Sequence, residues 1–203
     1  MLFRSDPFSH RVAICNRSES SLLIMDAEKG IVEGNIPVGG TPEAVVTDGM
    51  GKLYVNLFKE NVVAVVDLSK RSVTENFSLG PADKRPTGLA MDREHRRLFS
   101  VCRASKTMAI LDADSGKSLA SLPIGNGADG AGFDPGTGMA FASNKGSLTL
   151  VHEDAPDQFS VVGTLETAPD ATTLAVDDKT HRVYLLTLDK DSLVILVVGK
   201  DAE

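Results

Sequence analysis

Residues 42–80 read PEAVVTDGMGKLYVNLFKENVVAVVDLSKRSVTENFSLG. Four short apolar runs lie in this stretch, separated by turn signals. The run at 44–46 stops at Asp48-Gly49, and 53–57 is rich in β-formers. A polar turn, Lys59-Glu60-Asn61, leads into 62–66, which Asp67 closes. Residues 72–79 alternate and suit an outer strand with one wet face. Short β-branched runs bounded by Gly, Asp and Asn mark hairpins, and no dozen-residue window keeps a helical spacing.

The unit recurs. The Asp ending its first strand returns as Asp48, Asp92, Asp134 and Asp177, with steps of 44, 42 and 43 by subtraction. The aromatic residue of the second strand returns as Tyr54, Phe99, Phe141 and Tyr184, with steps of 45, 42 and 43. The residue closing the third strand returns as Asp26, Asp67, Asp112 and Glu153. Three independent markers with one period predict an all-β chain, a β-propeller built of four-stranded antiparallel blades. One such meander cannot bury both of its faces, so each blade depends on its neighbours.

The expected blades span about 6–40, 41–80, 86–125, 127–167 and 169–200, within a single partial propeller domain covering 6–203. Residues 1–5 match no blade and are expected to be a non-native or disordered start. Blade one is expected to lack its first strand and blade five its fourth. About four and a half blades are therefore predicted, as an open arc cut from a larger ring.

The chain has 203 residues, 42% of them hydrophobic, and a formal net charge of −7. That composition supports a sizeable core. There is no run of 18 or more apolar residues of the kind that spans a bilayer as a helix. The acidity argues against nucleic acid, whose binding rests on clustered Lys and Arg. Lys84-Arg85 and the basic residues of 93–97 read as solvated turns. Cys15 and Cys102 fall in non-adjacent blades, so no disulfide is expected.

Residues 39–45 (GGTPEAV), 52–56 (KLYVN) and 63–67 (VAVVD) carry a family resemblance, as do 86–92 (PTGLAMD), 131–138 (AGFDPGTG) and 194–200 (VILVVGK). They resemble the YVTN-repeat, YncE-like β-propellers of bacteria. The resemblance implies a seven-bladed ring, periplasmic or extracellular, with no agreed enzymatic activity. The chain would then supply part of that ring.

Propellers place function at the mouth of the central channel, on loops entering the innermost strands. Counting five residues back from each strand-ending Asp gives Glu43, Thr87, Asp129 and Thr172 as rim candidates for binding. Asp48, Asp92, Asp134 and Asp177 read as structural turn residues, since each recurs in one turn of each blade. His10, His95 and His181 precede second strands and read as surface turns. His152 stands beside Glu153 and Asp154 but has no third metal ligand in reach, so no metal site is expected. No catalytic motif or nucleotide loop appears. No cofactor is expected, and the absence of Trp disfavours a quinone stacked on an indole.

The expected function is a non-catalytic binding or scaffold propeller, holding a protein, peptide or glycan. Exposed blade edges would favour self-association. The alternative is a metal-dependent, gluconolactonase-like propeller hydrolase. It needs Glu, Asn and Asp from different blades to converge, and Glu43 and Asp129 are the one acidic pair the register offers.

Overall fold

A computed structural model describes residues 3–190 and 192–199. The chain folds as five sheets in succession. The first contains β1 (Phe3–Asp6), β2 (Arg11–Asn16), β3 (Ser21–Asp26) and β4 (Ile31–Pro37). The second contains β5 (Pro42–Thr47), β6 (Lys52–Leu57), β7 (Val62–Asp67) and β8 (Ser72–Ser78). The third contains β9 (Pro86–Asp92), β10 (Arg97–Cys102), β11 (Thr107–Asp112) and β12 (Ser118–Pro123). The fourth contains β13 (Gly130–Asp134), β14 (Met139–Asn144), β15 (Ser147–Ala155) and β16 (Gln158–Glu166). The fifth contains β17 (Thr173–Asp177), β18 (Arg182–Asp189) and β19 (Ser192–Val198). Every sheet is an antiparallel meander in sequence order.

Two expectations are corrected. Phe3–Asp6 pairs with Arg11–Ile14 as a regular innermost strand, with Phe3 opposite Ile14 and Asp6 opposite Arg11. Blade one therefore has its first strand, and residues 3–5 belong to it; Met1 and Leu2 lie outside the described residues. The open arc of about four and a half blades also fails. Residues of β1, β5, β9, β13 and β17 together line one central channel, so five blades form a ring around it. Asp6 keeps the period of the strand-ending aspartates, 42 residues before Asp48 by subtraction. Phe3-Arg4-Ser5 has little of the apolar character of the other first strands, so the strand shows only in its pairing. The fifth blade shows three strands among the described residues.

The core is divided among the interfaces between successive blades. Val45, Leu53 and Val55 pack against Leu22, Ile24 and Ile36 of blade one. Their strand neighbours Val46 and Tyr54 pack the opposite way, against Leu89, Leu98 and Leu111 of blade three. Side chains alternate faces along a strand, and here both faces are covered. That is why the middle strands read as continuous apolar runs. Each fully buried Val or Leu contributes roughly 1.5–3 kcal/mol of transfer free energy. Similar clusters join blade three to blade four through Phe99, Ile110 and Val151, and blade four to blade five through Phe141, Leu148, Val183 and Leu185. On blade five, Leu186, Leu188, Leu193, Ile195 and Val197 stay exposed, as do Phe3 and Val32 on blade one.

Inner strands crowd together around the axis, and glycine makes the closest approach possible. A Cβ on Gly88 would lie 2.4 Å from the Ala131 nitrogen and 2.7 Å from the Asp129 oxygen. Blade three and blade four touch there backbone to backbone.

Candidate functional site

The channel has two mouths. At the one where the inner strands begin stand the four rim candidates. Glu43 is paired with Arg17 of blade one at 2.9 Å. Burial, only partly offset by Arg17, raises its carboxyl above the ordinary glutamate value, and the charge of Asp129 adds to the rise. Asp129 is paired with Arg103, whose Nε donates to the Ala128 carbonyl at 2.9 Å. Glu43 and Asp129 thus share one electrostatic neighbourhood, each beside an arginine. Thr87 behaves differently: it is buried, and its hydroxyl donates to Ala128 O at 3.1 Å and Val101 O at 3.3 Å. Thr172 offers its carbonyl, which accepts from the Ser143 hydroxyl. Both threonines serve the junction between blades.

The arginines of this mouth were missed in the sequence. Arg17, Arg103 and Lys145 each follow directly on a second strand, β2, β10 or β14. Their steps of 86 and 42 residues by subtraction keep the blade period. That recurrence was readable. Its weight was not, because only the fold sets Arg17 and Arg103 beside carboxylates of the following blade.

The other mouth, where the inner strands end, opens on a cavity of about 720 Å³ lined by all five blades. Phe3, Val46, Phe133, Leu174 and Val176 give it apolar walls. Arg4 and Arg93 also line it, with Glu94 and Asp178. Burial, and then the charge of Arg93, lower the Arg4 pKa from its ordinary value. Arg93 Nε donates to Thr47 O at 3.0 Å.

The recurring aspartates end the inner strands near this mouth and organise their own turns. Asp48 accepts from the Met50 and Lys52 amides at 2.8 and 3.0 Å, and Asp177 from the Lys179 amide at 3.0 Å. Buried carboxylates also need a cation or further donors, and the next blade supplies them. Arg96 of blade three approaches Asp48 at 3.5 Å. His181 of blade five reaches Asp134 at 2.9 Å. Thr47 of blade two donates to Asp6 at 2.5 Å.

Asp92 departs from this pattern. The place held by Arg96 and His181 in their blades is Gly138 in blade four. Asp92 is approached instead by Glu153 of β15 and by its own turn residue His95. His95 Nδ1 lies 2.6 Å from Asp92 Oδ2 and 3.6 Å from Glu153 Oε2. Burial first, and then the Asp92 charge, push the Glu153 carboxyl up. Among the described residues these three are the one group able to offer three metal-ligating atoms together, all within 4.8 Å of one another. The reading of His95 as a plain surface turn missed this. His152 instead turns to Asp154, at 2.7 Å.

Comparison with known proteins identifies the fold. No protein-family model matches the sequence, and no curated protein matches it. The chain superposes on a protein titled Kuenenia stuttgartiensis Hydrazine Synthase with a TM-score of 0.74 and 18% sequence identity. The alignment covers 91% of this chain and 54% of the other, so the chain spans about half the length of the matched structure. In all, 1099 chains of known structure match, so the likeness marks a widely used architecture and no particular activity. The molecule is a β-propeller.

Proposed function

We propose that this propeller is a non-catalytic binding module of the YVTN-repeat kind, which takes an acidic peptide segment into the mouth of its central channel. One observation carries the reading: the 720 Å³ cavity combines apolar walls with two guanidinium groups, Arg4 and Arg93, close enough for their charges to be felt mutually. A cavity of this size accepts a small ligand or a few peptide side chains. A carboxylate entering the cavity would meet two guanidinium groups on its lining, whose planar donor edges suit carboxylate oxygens. Glu94 and Asp178 on the same lining disfavour a purely anionic ligand and suit a peptide that also carries a cationic or amide group. The hydrolase alternative has less support. The acidic pair it would use, Glu43 and Asp129, is at the opposite mouth and is held by Arg17 and Arg103. The sequence resemblance adds an exported, periplasmic or extracellular setting to the proposal.

Fluorescence polarisation with labelled short peptides of varied sequence tests the reading. Acidic peptides are expected to bind with an affinity that falls with salt, and Arg93→Ala is expected to weaken binding about tenfold or more. Equal binding of basic and acidic peptides, or full binding by the Arg93→Ala protein, would refute it.

A further inference from the structure

We propose that Asp92, His95 and Glu153 form a divalent-cation site at the junction of blades three and four, with zinc as the best-matched ion. The argument starts from charge. At two of the other three junctions a buried strand-ending aspartate meets a basic side chain from the following blade, Asp48 with Arg96 and Asp134 with His181. At the third that position is Gly51, and Asp6 accepts from the Thr47 hydroxyl instead. At Asp92 that position is Gly138, and what the following blade brings is a second carboxylate, Glu153. Two carboxylates withdrawn from water together are relieved either by a shared proton or by a cation held between them.

The neighbouring Arg97 makes its ion pairs elsewhere, although its charge still favours the ionised Glu153. Arg97 spends its Nη1 on Asp112 and its Nη2 on Asp157, both at 2.7 Å. Glu94, on the same turn as His95, adds only negative charge. The Glu153 side chain is 6% exposed, and its Oε1 has no hydrogen-bond partner. An unsatisfied acceptor buried to this degree is costly and is the second, independent sign that something is meant to be held there.

The donor set decides the ion. One imidazole nitrogen and two carboxylate oxygens suit zinc and related transition ions, whereas calcium and magnesium prefer oxygen alone. With neutral His95, two carboxylates balance a 2+ ion. Tetrahedral ligands on zinc sit about 3.3 Å apart, given metal–ligand bonds of about 2.0–2.1 Å. The 3.6 Å between His95 and Glu153 already fits, and the 2.6 Å between His95 and Asp92 must widen by less than about 1 Å. His95 can make that movement because its side chain is 53% exposed. Three protein ligands leave the fourth position open to water or to a ligand group. Asp92 also lines the channel cavity, so an ion here would adjoin the channel mouth.

Zinc titration of the chelator-treated protein by calorimetry tests this site independently of any peptide. One equivalent is expected to bind and to raise the melting temperature. Glu153→Gln and His95→Ala should each weaken binding by about tenfold or more, with unchanged circular dichroism. His181→Gln and His152→Gln serve as controls and should leave binding intact. X-ray absorption should show nitrogen and oxygen ligands only. Absence of saturable binding, sulfur ligation from a cysteine, or full binding by both Glu153→Gln and His95→Ala would overturn the proposal.

Discussion

His181 of blade five clasps Asp134 of blade four, with Nδ1 2.9 Å from Oδ2 and 3.1 Å from Oδ1. The carboxylate is buried and also serves its own turn, accepting from the Gly136 amide at 3.1 Å and the Thr137 hydroxyl at 2.7 Å. Removing the imidazole leaves a buried carboxylate short of one partner across a blade junction. His181→Ala is expected to lower stability by about 1–3 kcal/mol, read from urea unfolding midpoints. The same change in an Asp134→Asn background should cost clearly less. Additive effects in this double-mutant cycle would show that the pair is not coupled.

Gly88 is expected to tolerate no side chain. Its Cβ would fall 2.4 Å from Ala131 N and 2.6 Å from Gly130 C, and backbone on the next blade cannot swing aside as a side chain can. Gly88→Ala should destabilise by about 1–3 kcal/mol or more, as an overpacked contact does. Gly163 on β16 has nothing within 4 Å of its Cβ. Gly163→Ala should be neutral, or stabilising by about 0.4–1 kcal/mol through the unfolded chain. Thermal denaturation of the two variants checks both, and equal melting points would refute the crowding argument.

The blades were legible because they repeat. Hairpin ends, aromatic positions and strand-ending aspartates follow from local turn chemistry and the alternation of strands, and both are written in the chain. Asp6 was legible as a strand-ending aspartate, but Phe3–Ser5 was not, since so short and polar a strand is recognised by its pairing with β2. The candidate site was read in part for a related reason. Glu43 and Asp129 could be placed by register on one rim, but Arg17 and Arg103 meet them only through the packing of neighbouring blades. Asp92, His95 and Glu153 lie up to 61 residues apart by subtraction, and the second carboxylate that blade four brings to Asp92 has meaning only when the blade junctions are compared in space.

Cys15 and Cys102 should behave as unreactive thiols. Both are free, and burial pushes each pKa up to about 12. The thiolate is the reacting species, so almost none is present near neutral pH. Ellman's reagent should label neither residue rapidly in the native protein and should label both after denaturation. Rapid native labelling of Cys102, which lies in the core between blades two and three, would contradict the packing described there.

The Asp92–His95–Glu153 group gives stability a particular pH dependence when metal is chelated. The folded state raises the Glu153 pKa, chiefly by burial and then by the Asp92 charge. The folded protein therefore holds a proton that the unfolded chain has released, and this contribution is complete below about 4.5, the ordinary glutamate value. It is lost as pH rises through the higher folded value. His95 is raised by its hydrogen bond to Asp92 and then by the charge of Asp92. Its contribution is full below about 6.5 and is lost as pH rises beyond the folded value. Asp6, Asp112 and Asp177 are shifted downward, so they act oppositely but only in more acid solution, below about 4. Urea midpoints between pH 4.5 and 8 should therefore decline with rising pH. Glu153→Gln should flatten the acid side of that decline, because the amide never ionises beside Asp92. His95→Gln should flatten the neutral side. Added zinc should reverse the trend, since metal binding requires both groups deprotonated. A wild-type profile that is flat across this range, and unaltered in Glu153→Gln, would show that the carboxylate pair is not strained by its burial.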